Sequence, residues 1–103
     1  MPQEQKITFV AKIKSKPGKE AQVKSELLKL IQPTRAEAGC LSYDMHELLA
    51  EPGLFLFYEN WKTKKDIDAH FKTPHVLSVL ANVSDLLALP PELTSWKLIS
   101  ESK

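Results

Sequence analysis

The chain has 103 residues, a length that predicts one domain over residues 1–103. Its 14 Lys and Arg residues against 13 Asp and Glu leave a net charge of +1 with the signs interspersed, which argues against nucleic acid and membrane as partners. The polar start lacks the apolar core of a signal peptide, so no leader is predicted. No apolar run approaches the roughly 20 residues that a membrane span needs, so no transmembrane helix is predicted. Because Cys40 is the single cysteine, no internal disulfide is expected, and we predict a cytoplasmic protein.

The first predicted elements are a strand and a helix. Residues 6–14 alternate apolar and other side chains, the two-residue period of a strand with one apolar face. Residues 19–38 instead repeat apolar side chains every three or four positions, which predicts an amphipathic helix. Pro33 should kink or end this helix just before itself, and Gly39 should stop it.

Two further strands follow. Residues 40–48 alternate, so Leu41, Tyr43 and Met45 are expected to share a face, the one that the helices leave open. Residues 54–61 begin with five consecutive apolar or aromatic side chains, and a strand of this kind needs cover on both faces.

The last part of the chain predicts two helices and a strand. Thr63 is a candidate N-cap for a short helix over residues 64–71. A further helix should start at Pro74 and run toward Pro90, with a stripe made of Val76, Leu77, Leu80, Val83 and Leu87. Residues 93–100 predict the final strand, with Trp96, Leu98 and Ile99 as its bulk.

The predicted order β-α-β-β-α-α-β indicates an α+β, ferredoxin-like fold: a four-stranded antiparallel sheet with helices on one face. The other face would then leave several hundred Å² of apolar surface in water, more than a monomer commonly exposes. At about 25 cal/mol per Å², covering it is worth on the order of 10 kcal/mol. We therefore expect a homodimer through the sheet, with a C-terminal segment folded over that face as the alternative.

Five stretches resemble a known family: 10–11 (VA), 16–20 (KPGKE), 34–44 (TRAEAGCLSYD), 58–61 (YENW) and 69–75 (AHFKTPH). Their order and spacing are similar to those of the antibiotic biosynthesis monooxygenase (ABM) domain, a dimeric α/β barrel. The resemblance implies a homodimer with a pocket between sheet and helices in each subunit. Members of the family include oxygenases of aromatic phenols that need no metal or flavin, enzymes acting on quinols, haem-degrading enzymes and enzymes of a phosphorylated signalling sugar.

Three residues are candidates for proton transfer. The resemblance implies that Glu59 falls on the helix-facing side of the third strand, where burial would raise its pKa and suit it to proton transfer, unless it is held in a structural hydrogen bond. His70 and His75 flank the Thr73-Pro74 break, so the loop should bring both near one place. A packed helix residue and a helix-start residue are the structural alternatives for the two histidines.

The predicted pocket lining consists mostly of aromatic side chains. Trp61 could form a flat wall for an aromatic substrate or could simply anchor the core. Phe57, Phe71 and Phe9 are expected beside it. Asn60 points to the other sheet face by alternation, but a wide pocket could reach it.

No cofactor or metal is expected. The three histidines lack a compact ligand spacing, and no glycine-rich phosphate loop is present in the sequence. The ligand positions of the haem-degrading relatives correspond here to Ile13, His70 and Leu80, so haem degradation is not expected. Arg35 is expected to form an ion pair with Glu37 or with Asp44, or else to meet an anionic substrate.

The sequence therefore predicts a cofactor-independent monooxygenase or quinol-type oxidoreductase for a small aromatic or quinone-like molecule. A small-molecule isomerase related to the signalling-sugar enzymes is one alternative, which a polar pocket would favour. A non-catalytic dimeric binding module is the other, which a pocket filled by its own side chains would favour.

Overall fold

The computed structural model describes residues 6–100; the predicted polar start (1–5) and residues 101–103 lie outside the described residues. The strands are β1 (Ile7–Lys14), β2 (Cys40–Glu47), β3 (Leu54–Trp61) and β4 (Glu92–Lys97). The helices are α1 (Glu20–Leu28), α2 (Ile31–Arg35), α3 (Lys64–His70) and α4 (Pro74–Val83), followed by a 3₁₀ turn at Ser84–Leu86. No helix within residues 6–100 is long and apolar enough to cross a bilayer.

The four strands form one antiparallel sheet in the order β2-β3-β1-β4. This is the predicted α+β ferredoxin-like fold, and the predicted bounds of β3 are confirmed to the residue. A single domain over all of residues 1–103 stays a prediction.

The core lies between the helices and one face of the sheet. Alternation along β3 turns Phe55, Phe57, Glu59 and Trp61 toward the helices, and all four are buried. The opposite face of β3 carries Leu56, Tyr58 and Asn60. Because β3 is central in the sheet, its helix-facing side chains reach the middle of the core.

The predicted long helix over residues 19–38 is in fact two helices. The chain breaks at Lys29 and Leu30, whose amides bond three residues back in a tighter turn. Pro33 explains the position of the break, since it has no N–H to donate to the carbonyl of Lys29, four residues earlier, and its ring crowds that carbonyl. The helix therefore breaks about one turn before the position just ahead of Pro33 where the sequence predicts the break.

Two predicted faces need correction. The pairing of β2 with β3 shifts register between Cys40 and Ser42, so Leu41 is exposed while Tyr43 is buried against the helices. An irregularity of one residue reverses which side chains share a face. In α4, Leu77 is exposed and Val79 takes the core position instead.

The open face of the sheet still carries large apolar side chains. Tyr58 of β3 is 44% exposed and Trp96 of β4 is 58% exposed. Their strands place both on the side away from the helices, where Tyr58 pairs with Val10 of β1 and Trp96 pairs with Thr8, two residues earlier on the same strand. β4 is shorter than predicted, so Leu98 and Ile99 follow it.

Candidate functional site

A carboxylate joins the two predicted histidines. One oxygen of Glu37, Oε2, lies 2.8 Å from Nδ1 of His70 and 2.8 Å from Nε2 of His75. The two imidazole rings are 6.1 Å apart between centroids. Because a carboxylate oxygen only accepts, both ring nitrogens donate their N–H to it.

Thr73 fixes the position of the two histidines relative to each other. His70 is the last residue of α3 and His75 the second of α4. The Thr73 hydroxyl donates to the His70 carbonyl at 2.7 Å and caps α4 by accepting from the Val76 amide at 3.4 Å. One side chain thus links the end of one helix to the start of the next.

His70 is a buried imidazole in an aromatic setting. Its exposed fraction is 2%, and the rings of Trp61 and Tyr43 lie 4.8 and 5.6 Å from its own. Burial lowers the pKa of His70, while the bond to Glu37 and its charge act in the opposite direction. A neutral ring that donates Nδ1–H to Glu37 keeps a free lone pair on Nε2, the nitrogen that can act as a base.

Glu59 lies in the same part of the core. Its exposed fraction is 2%, and burial raises its pKa to about 7, with the charge of Glu37 adding to the rise. The indole Nε1 of Trp61 donates to Glu59 Oε1 at 2.8 Å and acts in the opposite direction. Near neutral pH this carboxyl can therefore either donate or accept a proton.

A cavity of about 150 Å³ lies between the sheet and the helices. Its polar side chains are Tyr43, Glu59 and His70. Burial raises the pKa of the Tyr43 phenol far above its usual range, so the hydroxyl stays protonated. The remaining lining is apolar or aromatic: Ala11, Ile13, Leu27, Leu30, Phe57, Phe71, Val76, Leu80, Pro91 and Leu93.

Four of the predicted site residues line this cavity: Glu59, His70, Phe57 and Phe71. Trp61 and Phe9 do not line it but support the residues that do. Trp61 bonds Glu59, and Phe9 packs edge-on against Phe71 at 5.7 Å. His75 reaches the site through Glu37.

The structure does not bring Asn60 to the cavity. Its Oδ1 accepts from the Thr8 hydroxyl at 2.7 Å and its Nδ2 donates to the Ser42 hydroxyl at 2.9 Å. These partners lie on the sheet face away from the helices, because alternation along β3 separates Asn60 from Glu59. Asn60 joins three strands instead of lining the pocket.

Two site residues were not identified from the sequence. The sequence predicts an ion pair of Arg35 with Glu37 or Asp44; the structure has Arg35 on Asp44 at 2.8 Å, while Glu37 binds the two histidines. Tyr43 was expected on the open face of the sheet. A lone Glu between α2 and Gly39 carries no sequence signal for two histidines 33 and 38 residues away.

The same cluster is a potential metal-ligand set. Ligand atoms of Glu37, His70 and His75 all lie within 4.8 Å of one another. Two imidazole nitrogens and a carboxylate oxygen are the donor types that suit zinc and other divalent transition metals. The histidine spacing alone did not predict this, because the third donor comes from a distant part of the chain.

Comparisons with known proteins agree with this architecture. The sequence profile described as antibiotic biosynthesis monooxygenase matches residues 6–81, and the chain belongs to this family. A Mycobacterium tuberculosis protein named "Putative monooxygenase Rv0793" is 33% identical over 96 residues, which are 93% of this chain and 94% of that protein. Its solved structure superposes with a TM-score of 0.88 and 30% identity, over 95% of this chain and 99% of that chain.

Two further relatives extend the comparison. Protein sll1783 of Synechocystis, which is uncharacterized, is 36% identical over 92 residues. The match covers 89% of this chain but only 63% of the Synechocystis protein. The crystal structure of PA3566 from Pseudomonas aeruginosa superposes with a TM-score of 0.90 and 29% identity, covering 97% of this chain and all of that one.

Proposed function

We propose that the protein is a monooxygenase that uses O₂ to oxidise a single-ring hydroquinone or related phenol, without metal or flavin. The observation that carries this proposal is the cavity that His70, Glu59 and Tyr43 all line within an otherwise apolar or aromatic wall. Family membership and the monooxygenase name of the tuberculosis relative support the reaction class.

The size of the cavity supports a small substrate. An apolar cavity of about 150 Å³ holds one benzene ring. Three fused rings would require the core to open, and a packed core resists such expansion. A single aromatic ring is therefore the best match to the space beside His70.

The two titratable groups have separate roles in this proposal. Nε2 of His70 takes a phenolic proton, and the resulting electron-rich ring gives electrons to O₂. Protonated Glu59 supplies a proton to the oxygen that leaves. The overall reaction balances without an external reductant: hydroquinone plus O₂ gives hydroxybenzoquinone plus water, with one oxygen atom in each product.

The apolar lining also bears on the alternatives. A phosphorylated sugar needs several hydrogen-bond donors and a cationic group, but the described cavity wall offers three polar side chains and neither Lys nor Arg. This favours an aromatic ligand over the isomerase alternative. A binding module without turnover stays an outcome of the experiment below.

The proposal includes a cytoplasmic homodimer. Support for the dimer comes from the exposed Tyr58 and Trp96 on the open sheet face, whose burial against a second copy would gain hydrophobic free energy. The single cysteine supports the reducing compartment.

The proposal is tested by measuring O₂ uptake by EDTA-treated protein. Single-ring hydroquinones and catechols are compared as substrates with three-ring anthrones. We expect turnover of single-ring substrates, lost in His70→Gln and strongly reduced in His75→Ala. His46→Gln is the matched control, because His46 lies on β2 away from the cavity, and it should keep full activity. Tight binding without O₂ uptake would replace the oxygenase proposal with a binding module, and preference for anthrones would contradict the size argument.

A further inference from the structure

The cluster of Glu37, His70 and His75 combines three features of a cation site. Its donors are two nitrogens and one oxygen, its geometry converges on one carboxylate atom, and it is anchored by two helix ends. We propose that it binds one divalent transition-metal ion, with Zn²⁺ as the representative ion, through Glu37 Oε2, His70 Nδ1 and His75 Nε2. This goes beyond the proposed function and does not depend on it.

The ligand spacing is close to that of a bound ion. Both nitrogens lie 2.8 Å from the shared oxygen. Around tetrahedral zinc with bonds of about 2.0–2.1 Å, neighbouring ligand atoms are about 3.3 Å apart. Each nitrogen needs to move only about 0.5 Å further from the shared oxygen to reach this spacing, and the two nitrogens already lie within 4.8 Å of each other. Each imidazole then moves its single ring proton to its other nitrogen, so the neutral rings bind without net loss of protons.

Access and charge also favour a cation. The His75 side chain is 22% exposed and that of Glu37 16%, while His70 is buried, so an ion can enter from the solvent side. That side leaves a fourth position for water, the arrangement of open zinc sites. Glu59 lies close enough for the charge of Glu37 to act on it, which adds a second carboxyl to the neighbourhood.

The nature of the donors restricts the ion. Imidazole nitrogen prefers Zn²⁺, Cu²⁺, Ni²⁺ and Co²⁺ over Mg²⁺ and Ca²⁺, which need more oxygen ligands. The affinity of the site should increase in the order Co²⁺, Zn²⁺, Cu²⁺. If the proposed oxygenase reaction also holds, a bound ion inhibits it, because the His70 proton moves to the Nε2 atom that must act as the base.

Calorimetric titration of tag-free, EDTA-treated protein with Zn²⁺, without substrate, tests the site. We expect one ion per chain. Glu37→Gln and His75→Ala should each weaken binding by about tenfold or more, because each removes one of three ligands. Cys40→Ser and His46→Gln are controls, and both should bind like the wild type. Mg²⁺ should give no saturable signal.

Co²⁺ gives a second readout, since an ordered site of low coordination number produces strong visible absorption bands that the hexa-aqua ion lacks. These bands should appear in the wild type and be lost in His75→Ala, whose position at the partly exposed start of α4 makes it the variant least disruptive to folding. Absence of saturable Zn²⁺ binding would overturn the proposal, as would binding that survives His75→Ala but is lost in His46→Gln or Cys40→Ser. None of these results depends on turnover.

Discussion

Glu37 and His70 are 33 positions apart in the sequence, yet Glu37 Oε2 and His70 Nδ1 are 2.8 Å apart in the fold. The carboxylate fixes which nitrogen of the buried ring carries the proton, and it leaves Nε2 free on a ring that lines the cavity. Glu37 is therefore a positioning residue, and its effect on any chemistry in the cavity passes through His70.

Replacing Thr73 should lower turnover much more than its small effect on stability would suggest. Thr73→Ala removes the α4 cap and the bond to the His70 carbonyl, at a cost of about 1 kcal/mol in the free energy of unfolding. The shift of the two histidines should lower kcat/KM by about 10- to 100-fold. Thr73→Ser keeps the hydroxyl and should restore both quantities.

Thr63→Ala is the matched control for this prediction, because Thr63 caps α3 in the same way at the end far from His70. It should lose similar stability but keep kcat/KM. Equal kinetic losses in the Thr63 and Thr73 variants would contradict the positioning role of Thr73.

Glu59 should make the protein less stable as pH rises. Burial raises its folded pKa from 4.5 to about 7, so between these values the native state binds more protons than the unfolded state and stability falls with increasing pH. The loss amounts to roughly 3 kcal/mol at most. Glu59→Gln mimics the neutral acid and should remove this loss.

Urea unfolding from pH 5 to pH 8.5 measures that difference. The Gln variant should gain stability relative to the wild type as pH rises through 7, whatever its offset at pH 5. Parallel pH curves for the two proteins would show that Glu59 is ionised throughout and would contradict the assigned pKa.

Gly39→Ala should destabilise the junction between α2 and β2. A methyl group at Gly39 would overlap the side chain of Asp66, whose carboxylate accepts from the Thr63 hydroxyl at the start of α3. Overpacking of this kind costs about 1–3 kcal/mol. In an Asp66→Ala background the cost of Gly39→Ala should shrink, and an unchanged cost in that double-mutant cycle would rule out the overlap as its cause.

Replacing Tyr58 by Glu should dissociate the proposed dimer. A charge on the open face of the sheet would face its own copy across a two-fold interface. Sedimentation velocity at micromolar concentration should give a dimer for the wild type and a monomer for Tyr58→Glu, with Leu49→Glu as a control because Leu49 is fully exposed in the β2–β3 turn. A monomeric wild type would contradict the dimer.

The sequence predicts the bounds of an element well where turn or capping residues mark both of its ends. The strand over residues 54–61 has its bounds right because a turn precedes its apolar run and the capping Thr63 follows closely after its end. The periodicity predicts one helix where the structure has α1 and α2, because the apolar spacing continues across the break that Pro33 imposes one turn upstream.

The site was only partly predictable, for a different physical reason. His70 could be proposed from the helix break at Thr73-Pro74, and Glu59 from strand alternation together with the family resemblance, which turns its face toward the helices. Glu37 could not, since its partners depend on the tertiary fold, which brings the segment between α2 and β2 to the end of α3 and the start of α4. Alternation alone groups Tyr43 with Leu41 on the open face of the sheet. The single-residue register shift in β2 that separates the two is not visible in an alternating pattern.

The protonation state of His70 is the measurement that tests the account most directly. Two-dimensional ¹H–¹⁵N spectra of EDTA-treated protein at pH 7 report which imidazole nitrogens carry protons. We predict a neutral His70 with its proton on Nδ1 and a bare Nε2, and a loss of this tautomer preference in Glu37→Gln. A proton on Nε2 in the wild type, or protons on both nitrogens, would contradict a base held ready by Glu37.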